Sequence, residues 1–501
     1  MSGERGGELF PLDRALRGIR ERFADAVIDA ERTSLREHTV VVPGERLAEV
    51  AGAVANEWGG ALLTFFALDE RDSHGRFRLH ALFSMAPEDA VLTLVSALPG
   101  HAPAYAPLAT RVPAARELER EVRERMGVSP VAGSDPRFAL APGRGLTSVS
   151  GPLQAGFAES RLERVASDGV IVRTLETQLG WAARGLEALA TGASVTRGLA
   201  LAERLCGTCA FAHALAFCQA AEELAGVVVP PRARALRSFA AELERLASHL
   251  ADLGGFLAAA GVAAAAAEFA RLEQVVRRVN GQLFGHRFLR GVCVPGGVQR
   301  DVGDAHQLWL RGVLGDLRAD ARRALRALDA GSLAGRLAGA GVLEAAVARE
   351  VGVTGVAARA SGLLLDGRRD HPYAFYRDLD FQVVHRERGD ARARIELRGG
   401  EIHESLNLVD QMILRLPGGP LAQHLGELPP SRWGVGVVES PRGLHVHWLR
   451  ADARGAIADW RVRSASHAIW PAFGRAAEGA ALTDLPLVRA SFAPCVACAD
   501  R

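Results

Sequence analysis

The 501-residue chain contains no lysine: all 60 of its basic residues are arginine. With so much alanine and glycine beside it, this reads as the codon bias of a GC-rich genome and carries no functional information. Charge of one sign is also lacking. The 60 bases face 58 acids, a formal net charge of +2, so no broad basic face is available for nucleic acid. No apolar run reaches the roughly 20 residues that a spanning helix needs. The longest, GGFLAAAGVAAAAA at 254–267, reads as a buried helix. The opening MSGERGGELFPLDRALRGIRERF is charged and amphipathic, without the apolar core of a signal peptide. The expectation is a cytoplasmic chain, compatible with a peripheral place on a membrane complex. Six cysteines are too few for a disulfide scaffold. There is no internal repeat and no low-complexity tail.

Apolar residues are 49% of the chain, enough for sizeable cores, and the length suggests more than one domain. The fold class expected is α+β. Residues 1–145 read as a small α+β domain. It has helices at 14–26 and 113–128, the second closed by Gly127, and strands at 37–43, 61–69, 76–85 and 90–98, the last two a candidate pair. A stretch rich in Pro, Gly and Ser, 129–145, reads as a linker. The second domain, 146–501, opens with a hairpin at 162–176 turning at Asp168-Gly169. Helical stretches follow at 180–190, 210–225, 232–253, 262–280 and 304–330. Strands are expected at 391–398, 434–439, 443–450 and 456–464, with a turn at 452–455, and a last helix at 464–479.

The cysteines carry the chemistry. Cys206 and Cys209 form CGTC, and Cys495 and Cys498 form CVAC three residues from the end of the chain; Cys218 and Cys293 stand alone. Each C-x-x-C can chelate one ion, and two pairs make a four-thiolate site. Structural zinc ribbons space their pairs by about 15–20 residues, whereas nearly the whole helical domain separates these two. A thioredoxin-like dithiol would follow a βαβ opening that neither pair has. Zinc and two unrelated pairs both remain open. Cys209 begins a helix, whose terminal N–H groups favour a thiolate, and four thiolates suit nickel, iron or zinc. His213, one turn on, is placed either to donate to a sulfur or to pack as a buried structural histidine.

At these residues the chain resembles a known family. LAERLCGTCAFAHALAFCQAAE (201–222) and SFAPCVACADR (491–501) resemble the two cysteine motifs of nickel–iron hydrogenase large subunits, of the membrane-associated energy-converting type that includes formate hydrogenlyase. That group is related to the 49-kDa-type subunit of respiratory complex I, which lacks the cysteines. GPLQAGFAES (151–160), AELERLASHLADLG (241–254), HRFLRGVCVPGGVQRD (286–301), RASGLLLDGRRDHPYAFY (359–376), LPGGPLA (416–422) and ESPRGLHVHW (439–448) match further family segments in order. Residues 1–140 resemble a degenerate complex I 30-kDa-type domain through LEREVRERMGV and SDPRF.

The resemblance implies a mainly helical catalytic domain around a nickel–iron centre whose iron carries carbonyl and cyanide. Cys206 and Cys495 would be terminal nickel ligands, and Cys209 and Cys498 would bridge the metals, pinning the end of the chain in the core. Arg442 would hang its guanidinium over the open face, and Glu159, as a buried carboxylate with a raised pKa, would relay protons from the nickel thiolates. With Cys495 these are the implied catalytic groups; an ordinary turn arginine and a surface glutamate are the alternatives. His213, Asp366 and Arg368 would support the centre, and His249 is similarly placed without a clear role. Family precursors often carry an extension cut at the position of Arg501, so this terminus would be either encoded or processed. With no further cysteine cluster, electrons would pass to an iron–sulfur small subunit. Membrane-arm subunits and nickel and iron maturation proteins would be the other partners. Departures are Gln154 for a histidine, Ser160 for a proline, Ala493 for an aspartate and Val356 for a proline; none removes a metal ligand. The alternative reading is a non-catalytic, complex-I-like scaffold with relic or zinc-binding cysteines.

Overall fold

The computed structural model describes residues 10–34, 36–131, 146–154, 159–328, 332–430 and 432–501. The chain divides into two compact units, Met1–Ala141 with Arg349–Gly352, and Pro142–Ala348 with Val353–Arg501. The architecture is α+β. Most of the expected linker, 132–145, and the SDPRF segment lie outside the described residues.

In the first unit a five-stranded sheet runs in the order Asp29–Arg32, Glu37–Val41, Val91–Pro99, Arg76–Ser84, Ala61–Glu70. Glu37–Val41 and Val91–Pro99 are parallel and the other neighbours antiparallel. The pair expected between 76–85 and 90–98 is therefore present. Buried Leu, Val and Phe side chains form one core with the helices Pro11–Arg22, Gly44–Asn56 and Arg116–Met126. Gly127 closes the last helix in the left-handed conformation, which glycine adopts without steric cost.

The second unit begins with a three-stranded antiparallel sheet, Leu146–Ser150, Leu162–Ser167 and Val172–Gln178. The Asp168 carboxylate accepts the N–H groups of Val170 and Ile171 and closes the expected hairpin. The helices Ala210–Ala225, Pro231–Ala259, Ala263–Phe284, Asp304–Leu328 and Ala391–Leu414 share one core. Against it lies an antiparallel sheet, Trp433–Ser440, Gly443–Ala451 and Ile457–Arg463.

Three sequence expectations fail locally. Residues 391–398, read as a strand, begin the helix Ala391–Leu414, capped by the Asp390 carboxylate on the Ala393 N–H. Arg394 and Arg398 are buried along with Ile395 and Leu397 between them. Both guanidiniums find acceptors there, including Ser491 and the carbonyls of Gly389 and Gly341. Of 180–190 only Leu186–Ala190 is helical. The helix Ser466–Ala477 is not the last, since Leu485–Phe492 and Val496–Asp500 follow.

One packing detail decides where the site forms. A methyl group on Gly434 or Gly436 would stand 2.1 or 1.8 Å from the carbonyl of Ala220 or Ala216. The two glycines let the helix Ala210–Ala225 lie directly on the strand Trp433–Ser440. That contact brings the first C-x-x-C onto the sheet that carries Arg442, His445 and His447.

Candidate metal centre

Cys206 and Cys209 sit in the turn before the helix Ala210–Ala225, while Cys495 stands at the N-terminal cap of the short helix Val496–Asp500 and Cys498 lies within it. The fold joins the two pairs although almost 300 residues separate them. Cys206 Sγ and Cys495 Sγ are 3.7 Å apart. The sulfurs of Cys206, Cys495 and Cys498 lie within 4.8 Å of one another, and so do those of Cys209 and Cys498 with a ring nitrogen of His445. Cys498 belongs to both groups. Three of the four cysteines are buried and Cys495 is nearly so. Thiol hydrogen bonds from Cys209, Cys495 and Cys498 hold Cys206 well below its ordinary value. The other three are pushed up, Cys495 to about 12, chiefly by their bonds to Cys206.

The helix terminus at Cys209 does not act as expected. Its N–H groups at Phe211 and Ala212 donate to the Glu244 carboxylate at 2.7 and 2.9 Å, so a glutamate and not the Cys209 sulfur takes the helix-terminal donors. Burial pushes Glu244 up to about 8 against the pull of those two amides.

Arg442 lies beside the sulfurs. Its guanidinium forks three ways: Nη1 points at Cys209 Sγ (3.7 Å), Nη2 donates to Asp252 Oδ1 (2.8 Å), and Nε donates to the Ala493 carbonyl (2.9 Å). Asp252 also faces Arg398. Ala493 holds Arg442 through its backbone carbonyl and sits in the left-handed region at φ 49°.

His213 meets the sulfurs through a chain that fixes its tautomer. The Trp460 indole, which can only donate, donates to His447 Nδ1 (3.1 Å). The proton of neutral His447 is then on Nε2, which faces His213 Nδ1 at 3.0 Å. That leaves the His213 proton on Nε2, 3.6 Å from Cys498 Sγ. Burial holds both histidines well below their ordinary value, so the chain is neutral. Trp460, His447, Asp252 and Glu244 escaped the sequence reading, because nothing local marks residues that act through a distant partner.

The remaining expectations divide. Glu159 reaches the turn, accepting the Ala497 N–H at 3.1 Å, but it is exposed rather than buried. The segment before it, 155–158, lies outside the described residues. Gln154 donates to the Arg161 carbonyl. Asp366 and Arg368 pair with each other at 2.7 Å, and their described partners are Glu242 and Arg359, not the sulfurs. They belong to a buried ionic network in which Arg359 bridges Glu401 and Glu439, and His249 donates to or accepts from Glu401 at 2.7 Å. Cys218 and Cys293 are both buried and neighbour one another, away from the four-sulfur cluster.

The chain end is held by more than sulfur. Trp470 Nε1 donates to the Cys495 carbonyl and Ser464 Oγ to that of Cys498. The Asp500 carboxylate accepts from Gly180 and Ala182, and Arg501 pairs with Glu187 at 2.7 Å.

Residues 184–253 match the nickel-dependent hydrogenase family, and residues 262–432 match the 49 Kd subunit of respiratory-chain NADH dehydrogenase. The chain is 30% identical to formate hydrogenlyase subunit 5 of Escherichia coli, over 100% of its own length and 94% of the relative's. It belongs to the energy-converting hydrogenase large subunits. It is also 32% identical to the carbon monoxide-induced hydrogenase of Rhodospirillum rubrum, covering 70% of this chain and 98% of that one. Among solved structures, a chain of the membrane-bound sulfane sulfur reductase, an archaeal respiratory membrane complex, superposes with a TM-score of 0.67 at 28% identity. That match covers 71% of this chain and 98% of the other. Among the described residues no helix is long and apolar enough to cross a membrane.

The donor set fits a nickel–iron centre. Four sulfurs with no carboxylate among them suit soft metals. Arg442 and His213 offer N–H donors to sulfur, the partners that tune such ligands.

Proposed function

We propose that this chain is the catalytic subunit of a nickel–iron hydrogenase, interconverting H2 with protons and electrons. The observation that carries this is the convergence of all four cysteines from both ends of the domain beneath one clamped guanidinium. A scaffold needs neither the four sulfurs nor Arg442 over them. Cys206, Cys209, Cys495 and Cys498 would together hold the nickel and iron, in keeping with the place of Cys498 in both sulfur groups. Such a centre, when bound, would supply binding and heterolytic cleavage of H2.

The chain's own residues do the rest. Arg442 is fixed at two of its nitrogens, so its third is aimed without rotamer freedom. With the metals bound, the Cys495 sulfur would accept the proton. Glu159, on the N–H of the residue between Cys495 and Cys498, hands it to solvent or to a partner surface. His213 keeps an N–H on Cys498 at all times because Trp460 sets its tautomer two residues away. Asp366 and Arg368 support the fold beneath the site through their ionic network.

Electrons leave to an iron–sulfur small subunit, and the complex sits on the cytoplasmic face of a membrane arm. Maturation proteins deliver the metals. The first unit, from the LEREVRERMGV helix, corresponds to the complex I 30-kDa-type domain. Metal analysis with infrared spectroscopy on the purified complex tests the reading: nickel, iron and carbonyl and cyanide bands are expected, and zinc alone overturns it. The likeness to the sulfane sulfur reductase chain favours one second reading, reduction of sulfane sulfur at the same cysteines. Polysulfide-dependent turnover without H2-dependent dye reduction would select it.

A further inference from the structure

Residues 180–184, expected to begin a helix, instead receive the end of the chain. The Gly180 and Ala182 N–H groups donate to the two oxygens of the Asp500 carboxylate, and the Arg184 N–H donates to the backbone oxygen of Arg501 at 3.3 Å. This places the exposed Arg184 side chain beside both cysteine motifs. Its Nη1 donates to the Arg204 carbonyl at 2.7 Å. Its Nη2 donates to the Leu205 carbonyl at 2.7 Å and to the Ala497 carbonyl at 3.1 Å. Arg204 and Leu205 directly precede Cys206, and Ala497 stands between Cys495 and Cys498.

A guanidinium is planar, carries five N–H donors in a fixed fork and accepts nothing. The two protons of one terminal nitrogen diverge, so Nη2 serves a carbonyl in each turn at once. Bonds from a charged donor are stronger than neutral ones. Trp470 and Ser464 donate into the C-terminal turn, whereas Arg184 donates into both. Ala497 is gripped from two sides, its N–H by the Glu159 carboxylate and its carbonyl by Arg184. We propose that Arg184 is a positioning residue, a strap that ties the first C-x-x-C turn to the second and holds Cys206 against Cys495 before any metal is bound. An incoming metal then meets sulfurs already gathered, with Cys206 Sγ and Cys495 Sγ 3.7 Å apart. The strap acts through backbone carbonyls, so it holds for nickel with iron and for zinc alike.

The test uses the full chain, stripped of metal by a chelator and treated with diamide. Each thiol pair that reacts gives two electrons and two protons to the azo bond of diamide, which becomes a hydrazine, and one S–S bond forms. Mass spectrometry of the peptides then separates Cys206–Cys495 disulfide from disulfides within each C-x-x-C. In the parent the pair across the turns should form readily, and a parent that does not form it overturns the inference. Arg184→Leu should lower that pair about tenfold relative to the pairs within each motif, the size expected when a charge-assisted bond between the turns is lost. Arg184→Lys keeps the charge without the fork and should not restore it; a yield equal to the parent's in either variant overturns the strap. Glu187→Gln is the control for a merely loosened chain end, because Glu187 holds the Arg501 side chain and the Val462 N–H but neither cysteine turn. An equal fall in Glu187→Gln overturns the assignment to Arg184. So does an Arg184→Leu chain that fails to fold, since an exposed strap between two formed turns is not what the cores rest on.

Discussion

Replacing Arg442 by lysine keeps the charge and removes the fork. The guanidinium makes three divergent contacts, to Cys209 Sγ, to the Asp252 carboxylate and to the Ala493 carbonyl. A single ammonium on a flexible stem can satisfy about one of them, and Asp252, the only full negative charge of the three, will capture it. The contact to Cys209 and the bond to Ala493 are then lost. A charge-assisted hydrogen bond contributes about 1.5–3 kcal/mol and a neutral one about 1 kcal/mol. If the sulfur-side contact acts mainly in the transition state, its loss lowers kcat by roughly 10- to 150-fold at about 1.4 kcal/mol per decade. The Ala493 term falls mostly on stability. The assay is H2-dependent dye reduction, normalised to nickel content. The metals should be retained, because no ligand is touched. A fully loaded Arg442→Lys enzyme working within about a factor of two of the parent, worth about 0.4 kcal/mol, would refute the placement of Arg442 over the reacting atoms.

Cys498→Ser should hold little nickel, since a hydroxyl is a poor soft-metal ligand. Its terminus should nonetheless stay protected from carboxypeptidase, because Trp470, Ser464, Glu187 and the Gly180 and Ala182 amides still hold it. Glu159→Gln should lower H2/D2O exchange while para/ortho-hydrogen conversion continues; exchange at the parent rate would remove the exposed carboxylate from the proton route. Ala493→Gly should raise the denaturant midpoint by about 0.5–1 kcal/mol of stability, because an alanine at φ 49° is strained and glycine is not. Glu401→Gln should destabilise by about 3–5 kcal/mol, leaving Arg359 partly unpaired in the core. Burial alone would raise Glu401, but Arg359 and His249 hold it well below the usual range. Its contribution is therefore present above the unfolded pKa of about 4.3 and is lost as pH falls through the lower folded value. The parent's acid-unfolding curve should be steeper than the variant's, and parallel curves would refute the assignment.

Much of the site was legible before any coordinates. The two C-x-x-C pairs, the SPRG turn and the histidine one turn after Cys209 are local patterns whose spacing sets the chemistry they can do. The hairpin at 168–169 and the helices from 210 to 328 were readable for the same reason: turn residues and apolar periodicity act within a few residues. The helix Ala391–Leu414 was not, because its buried arginines are satisfied only by distant carbonyls and Ser491, which no local pattern marks. Glu159, expected to be buried, is exposed beside the cysteine turn, since a motif specifies neighbours along the chain and not what covers them.

The amino-acid order by itself thus determined which donor atoms exist, four thiols, an arginine and a glutamate in recognisable settings, because ligand identity is written residue by residue. Only the tertiary structure decided which of them share a space and which way each proton points. Gly434 and Gly436 admit a helix onto the sheet, and that approach joins cysteines almost 300 residues apart. Trp460 then sets the tautomer of His447, and His447 that of His213. Such directions come from through-space contacts between distant segments, whose closeness depends on packing rather than on any local pattern.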